Sequence, residues 1–118
     1  MGDKKSWVKI YDFKQHGLEP QLLNSVRSVE VEGKRICLVY NDTGYYALDD
    51  KCPHAGARFG AGGWCENNQL VCPIHRHKFN LTNGRGSQGD NVDTYPVEQR
   101  EDGVYVGMES NNAWWKFW

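Results

Sequence analysis

The sequence predicts an all-β, sandwich-like fold. Three observations lead there: apolar residues alternating at period two, turn signals between the alternating runs, and almost no helical periodicity. Trp7-Val8-Lys9-Ile10-Tyr11 reads as the first strand, with alternation at period two about Lys9. Residues 25–32 alternate likewise, and Gly33-Lys34 turns the chain into Arg35-Ile36-Cys37-Leu38-Val39-Tyr40. Its apolar stretch, about Ile36 to Tyr40, reads as a buried strand. Asn41-Asp42-Thr43-Gly44 is a strong turn signal ahead of the strand Tyr45-Tyr46-Ala47-Leu48. Gln69-Leu70-Val71 forms a shorter strand. The one helical suggestion is a short turn over residues 19–23. Residues 84–91 form a polar, Gly-rich loop without proline, expected to be mobile.

At 118 residues the chain is expected to be one domain, 1–118, burying roughly two-thirds of its unfolded surface. Five Trp, six Tyr and four Phe give aromatic bulk to a core whose hydrophobic fraction is otherwise modest. A formal net charge of −1 argues against nucleic-acid binding by bulk electrostatics. The first six residues contain no apolar h-region, and no apolar run approaches membrane-spanning length. A cytoplasmic protein with no membrane span is expected.

The chemistry is carried by two knuckles. Cys52-Pro53-His54 is followed, after the seventeen residues 55–71, by Cys72-Pro73-Ile74-His75. Each knuckle supplies one thiolate and one imidazole. Thiolate suits an iron bonded to inorganic sulfide, and neutral imidazole suits a second, more exposed iron. A Cys₂His₂ set also binds structural zinc, which is the competing reading. Zinc fingers, however, usually keep like ligands together in one knuckle. Here each knuckle is mixed, and Cys52 and His54 are too close in sequence to span one tetrahedral ion comfortably. Cys37, inside the buried strand, and Cys65, after Trp64 in the hairpin between the knuckles, read as small core hydrophobes. Reduced thiols fit the same compartment.

The run Cys52-Pro53-His54-Ala55-Gly56-Ala57-Arg58-Phe59-Gly60, with Cys72-Pro73-Ile74-His75 and Phe79-Asn80 behind it, resembles the cluster loops of the Rieske ferredoxin family. Thr94-Tyr95-Pro96-Val97 and Asp102-Gly103-Val104-Tyr105-Val106 resemble its last hairpin. The resemblance implies a Rieske iron–sulfur fold: an antiparallel β-sandwich base carrying a small inserted cluster-binding subdomain, about residues 49–81. It implies one [2Fe–2S] cluster held by Cys52, His54, Cys72 and His75, with no residue acting as a catalyst of its own.

Three features depart from the high-potential relatives. Ala57 and Ile74 stand where an inter-loop disulfide would be. His77 and Phe79 stand where Ser and Tyr hydroxyls donate to the cluster and its sulfurs. Arg76 replaces the Gly that normally follows the second ligand His, so a side chain would occupy a positive-φ position. Fewer donors to sulfur lower the potential, so a low-potential ferredoxin is expected.

Electron transfer between a reductase and a terminal oxidoreductase such as an oxygenase is the function this implies. A fixed small subunit of a nitrite-reductase-like complex is the alternative. The catalytic oxygenase itself is excluded, since a mononuclear iron needs two further His and a carboxylate, and only His16 and His77 remain. Over residues 51–79, Lys51, Arg58, Arg76 and Lys78 face Glu66 alone, giving +3 against −4 elsewhere. This reads either as a solvated rim or as a basic face for an acidic partner. The aromatic tail, about residues 108–118 and ending Trp114-Trp115-Lys116-Phe117-Trp118, lies outside the family pattern. It either folds back on the base beside Trp7 or anchors a partner or a membrane interface.

Overall fold

A computed structural model describes residues 5–53, 57–74, 76–86 and 89–109. Ten strands and one helical turn follow one another: β1 (Lys5–Asp12), α1 (Phe13–His16), β2 (Ser25–Val31), β3 (Lys34–Asn41), β4 (Gly44–Asp49), β5 (Trp64–Glu66), β6 (Gln69–Val71), β7 (Lys78–Asn80), β8 (Thr94–Tyr95), β9 (Val97–Arg100) and β10 (Gly103–Glu109). They form three antiparallel sheets in the orders β1-β10-β9, β2-β3-β4-β8 and β5-β6-β7. The third sheet and both knuckles fall between β4 and β8.

The unbroken apolar run of β3 has a simple structural cause. Ile36, Cys37, Leu38 and Val39 are all fully buried, but into two different cores. Ile36 and Leu38 pack with Tyr11, Val104, Val106 and Met108, which belong to β1 and β10. Cys37 and Val39, one residue out of phase, pack with Phe59, Leu70, Phe79 and the knuckle cysteines. The middle sheet therefore has a core on each face, and period-two geometry sorts its residues between them. In β4, Tyr45 and Ala47 face the first core, while Leu48 faces the second with Tyr46 packed at its margin.

Two tight hairpins set the registers. Val31 pairs with Lys34 across Glu32 (φ 51°) and Gly33 (φ 81°), so the reversal falls one residue earlier than the sequence suggests. Glu66 pairs with Gln69 across Asn67 (φ 50°) and Asn68 (φ 60°). Two successive left-handed residues match the strand twist, and Asn and Gly tolerate them best. At the β3–β4 turn, Asn41 Oδ1 accepts from Thr43 N–H at 2.9 Å and Thr43 Oγ1 at 2.8 Å.

The helical turn is displaced from the expected residues 19–23 to Phe13–His16. Asp12 caps it, its carboxylate accepting from Lys14 N–H at 2.9 Å. Residues 19–23 are irregular instead, with a bend at Gln21 and a turn in which Ser25 N–H donates to Leu22 O at 3.1 Å; Gln21 is buried, and its amide donates to the carbonyls of Leu38 (2.7 Å) and Ser25 (3.2 Å). The polar loop is tied at its base: Val92 N–H donates to Gly84 O and Gly86 N–H to Asp90 O. The expected mobility of this loop falls partly on Ser87 and Gln88, which lie outside the described residues. The aromatic segment from Trp114 also lies outside them. No helix among the described residues is long and apolar enough to cross a membrane.

Candidate metal centre

Each knuckle is a loop closed by the same bond. Cys52 N–H donates to Ala57 O at 2.8 Å, and Cys72 N–H donates to His77 O at 2.9 Å. In both, a cysteine amide reaches the carbonyl five residues on, and the knuckle histidine falls inside the loop. His54 and His75 themselves lie outside the described residues. Cys52 and Cys72 have no solvent exposure and belong to one buried cluster. Burial pushes the Cys72 thiol up; the Ile74 N–H pulls it back, and the neighbouring Cys52 thiol pushes it further up.

The loops are held by contacts that the motif does not reveal. Phe59, behind the first knuckle, and Phe79, behind the second, meet edge to face with ring centroids 5.5 Å apart. Asp50, two residues before Cys52, is only 2% exposed. Its carboxylate accepts from Ser28 Oγ at 2.6 Å and from Gly60 N–H at 2.8 Å, while its carbonyl accepts from Phe59 N–H at 3.0 Å. One side chain thus joins β2 of the base to the first cluster loop. A Cβ on Gly60 would lie 2.0 Å from Ser28 Oγ and 2.7 Å from Ser28 N, so only glycine permits this approach. On the other side, Asn41 Nδ2 donates to Asn68 Oδ1 at 2.8 Å, tying the β3–β4 turn to the β5–β6 turn. The sequence reading missed Asp50, Ser28 and Asn41. A signal was available for Asp50 alone: an acidic residue between a strand of apolar character and a ligand cysteine.

The departures from the high-potential pattern take definite form. No disulfide exists among the described residues, and all four cysteines are free and buried. Ala57 is half-buried against the cluster core, and Ile74 is 43% exposed. Phe79 is fully buried and has no hydroxyl to donate. Arg76 does take the left-handed conformation, with φ 56°. Cys37 and Cys65 are core residues, as their surroundings in the sequence suggest; Cys37 Sγ donates to Asp49 O at 3.7 Å.

The basic face is smaller than the sequence count. Lys78 pairs with Glu66 at 3.3 Å, and Glu66 also accepts from the Trp64 indole N–H at 2.9 Å. The Trp64 bond, then Lys78, hold the Glu66 carboxyl below its usual range. Lys51 and Arg58, antiparallel bridge partners, and Arg76 stay exposed and lack an ion pair among the described residues.

Two deeply buried, unoxidised thiols in paired, amide-closed loops suit thiolate-held iron, and the donor set admits a [2Fe–2S] centre. A model of the Rieske [2Fe-2S] domain matches residues 7–99. The ferredoxin component of the naphthalene 1,2-dioxygenase system of Pseudomonas aeruginosa is 36% identical over 86 residues, 70% of this chain and 82% of that protein. The ferredoxin of carbazole 1,9a-dioxygenase from Nocardioides aromaticivorans IC177 superposes with a TM-score of 0.73 at 20% identity, covering 86% of this chain and 96% of that one. A chain assigned as the NADH-dependent nitrite reductase small subunit of Mycobacterium tuberculosis superposes with a TM-score of 0.76 at 19% identity, covering 92% and 99%. At such identities the structural likeness is one of fold. The family match over residues 7–99, joined to the two buried cysteines, gives the conclusion: this chain belongs to the Rieske [2Fe–2S] domain family, whose members carry one such cluster.

Proposed function

We propose that the chain carries single electrons from a reductase to the terminal oxygenase of a multicomponent oxygenase system. In this reading Cys52 and Cys72 hold the inner iron, and His54 and His75 hold the outer one. The observation that carries it is the pair of fully buried thiols at the mouths of two loops closed by matching amide bonds. The cluster supplies a site that cycles between formal charges of zero and −1. The chain's own residues exclude water from the thiolate side, through Phe59, Leu70 and Phe79. The ferredoxin relative, at 36% identity, supports an oxygenase system as the setting. The nitrite-reductase-like alternative draws on the closeness of that fold, at a TM-score of 0.76. Cytoplasmic location belongs to the same reading and is supported by the four free cysteines.

Metal-replete protein is expected to hold two irons and two sulfides per chain and to give a rhombic EPR signal on reduction. Its midpoint potential should lie low in the Rieske range, on the order of −150 mV, because Phe79 and Ala57 remove a donor and a covalent clamp. Stoichiometric zinc without visible absorbance would sink the cluster assignment; a potential well above zero would sink the low-potential one. Purified from its native host, a free carrier elutes at its own mass, whereas a fixed subunit co-elutes in constant ratio with a larger chain.

The exposed cations Lys51, Arg58 and Arg76 are the docking charges in this reading. Electron-transfer rates should fall as salt shortens the Debye length to about 10 Å and below. Charge reversal at Arg58 should slow association more than reversal at Lys78, whose charge Glu66 already meets. Equal effects at the two positions would count against this placement of the docking face.

A further inference from the structure

We propose that an open cleft beside the first knuckle takes a carboxylate of the redox partner, with Arg35 of the base as its anchor. The inference rests on the carrier reading above and deepens it, since it names the partner's chemistry: a protein with an acidic side chain at its electron-exchange surface. The cleft, of about 460 Å³, is lined by Arg35, Asp49, Asp50, Lys51 and Arg58. Lys51 directly precedes Cys52, and Arg58 directly follows Ala57, whose carbonyl closes the first knuckle. Arg35 comes from the other side, near the start of β3. A group bound here touches the base and the cluster loop at once, next to a ligand cysteine.

The walls are fixed to one another through the backbone. Asp50 N–H donates to Arg35 O at 3.4 Å, and Phe59 N–H donates to Asp50 O at 3.0 Å. Lys51 and Arg58 are bridge partners. A cleft held in this way has little left to order when it binds. Its three cations are exposed, and none has an ion pair among the described residues; Glu30, the register partner of Arg35, makes none with it. The two acids are engaged elsewhere. Asp50 accepts from Ser28 Oγ at 2.6 Å and from Gly60 N–H at 2.8 Å, and Asp49 accepts from the Tyr95 hydroxyl at 2.7 Å. Three cations against two carboxylates leave the cleft one net positive charge. That balance suits a single carboxylate better than a phosphate dianion, and the planar forks of Arg35 and Arg58 match a carboxylate's two oxygens. Arg76 does not line the cleft. It attracts the partner from a distance, whereas Arg35 holds it.

Protection from phenylglyoxal, read at each arginine by mass spectrometry in the cluster-loaded full chain, tests this. The probe is the blocked peptide acetyl-Glu-Glu-Glu-amide, at low and constant ionic strength. It should slow modification of Arg35 and Arg58 at least threefold, and leave Arg76 and Arg85, exposed arginines outside the cleft, nearly unprotected. Lys51→Gln should remove at least half of the protection at Arg35, with retained cluster absorbance showing that the variant is folded. Equal slowing at all four arginines would overturn the proposal, because diffuse charge attraction would then explain it. So would equal protection by inorganic phosphate at the same ionic strength, which assigns the cleft to a free oxyanion. The two possible failures are distinguishable: zinc in place of iron sinks the carrier reading and the partner with it, whereas absent protection in a chain that holds its cluster sinks the cleft alone.

Discussion

The two faces of the middle sheet are built on different principles. On one, Ile36 and Leu38 meet Val104, Val106 and Met108, side chains placed by the register of strands seven or eight residues long. On the other, Cys37, Val39 and Leu48 meet the knuckles, where the longest strand has three residues. The first core needs only strand pairing and apolar area. The second gathers all four cysteines and depends on loop-closing amides, a buried carboxylate, a close glycine contact and a cofactor. One sheet can serve both because period-two alternation lets each face take its own residue set. The base can thus act as a rigid platform, and the chemistry is confined to the side that local bonds hold together.

The sharpest way to break the comparison is to damage each side alone. Cys52→Ser or Cys72→Ser should eliminate bound iron and visible absorbance, and should lower stability well beyond the loss of one side chain, since metal binding and loop folding are coupled. Leu38→Ala should cost about 2–5 kcal/mol by leaving a cavity, yet keep a full complement of iron in the folded fraction. Denaturant unfolding followed at once by cluster absorbance and far-ultraviolet circular dichroism distinguishes the two. Equal loss of iron in Leu38→Ala would mean that the faces are one cooperative unit.

The next effect concerns the joint between them. Asp50→Ala strands the Gly60 N–H and the Ser28 hydroxyl, an expected cost of about 1–3 kcal/mol. Gly60→Ala drives a methyl against Ser28 backbone and side chain and should cost a similar amount, about 1–3 kcal/mol, through overpacking. Because both act on the same contact, the double variant should lose clearly less than the sum. Additive losses in thermal unfolding would show that Asp50 does not connect the first loop to β2.

How much of this was legible in the sequence differs between the two sides for a physical reason. The base strands were readable because alternation and turn residues are local signals; β1, β2, β3 and β4 fall where residues 7–11, 25–32, 35–40 and 45–48 place them. The knuckles were readable because ligand chemistry restricts residue type and spacing. What holds the knuckles was not readable, because Ser28, Asp50 and Gly60 come together only through long-range packing. The short helix was misplaced for a related reason. Gln21 bonds to Leu38, seventeen residues away, and holds residues 19–23 in an irregular course, while the Asp12 cap outweighs the missing apolar periodicity over Phe13–His16.

The smallest expected effect sharpens the second loop, where Arg76 holds φ 56° next to a knuckle. A left-handed conformation costs a residue with a Cβ about 1–2 kcal/mol, and glycine pays part of that back through its freer unfolded chain. Arg76→Gly should therefore raise stability by about 0.5–1 kcal/mol. The opposing term is electrostatic, for the Arg76 charge helps lower the Glu66 carboxyl, though less than Trp64 and Lys78 do. That contact is between exposed groups and is screened, so the backbone should win. Arg76→Asn separates the two: it loses the same charge while tolerating the left-handed region better than most residues. If Gly and Asn both destabilise at low salt and the loss vanishes at high salt, the guanidinium rather than the backbone explains why arginine stands there. If both stabilise and the partner association rate falls together with the charge, Arg76 is held in a strained position for the sake of docking.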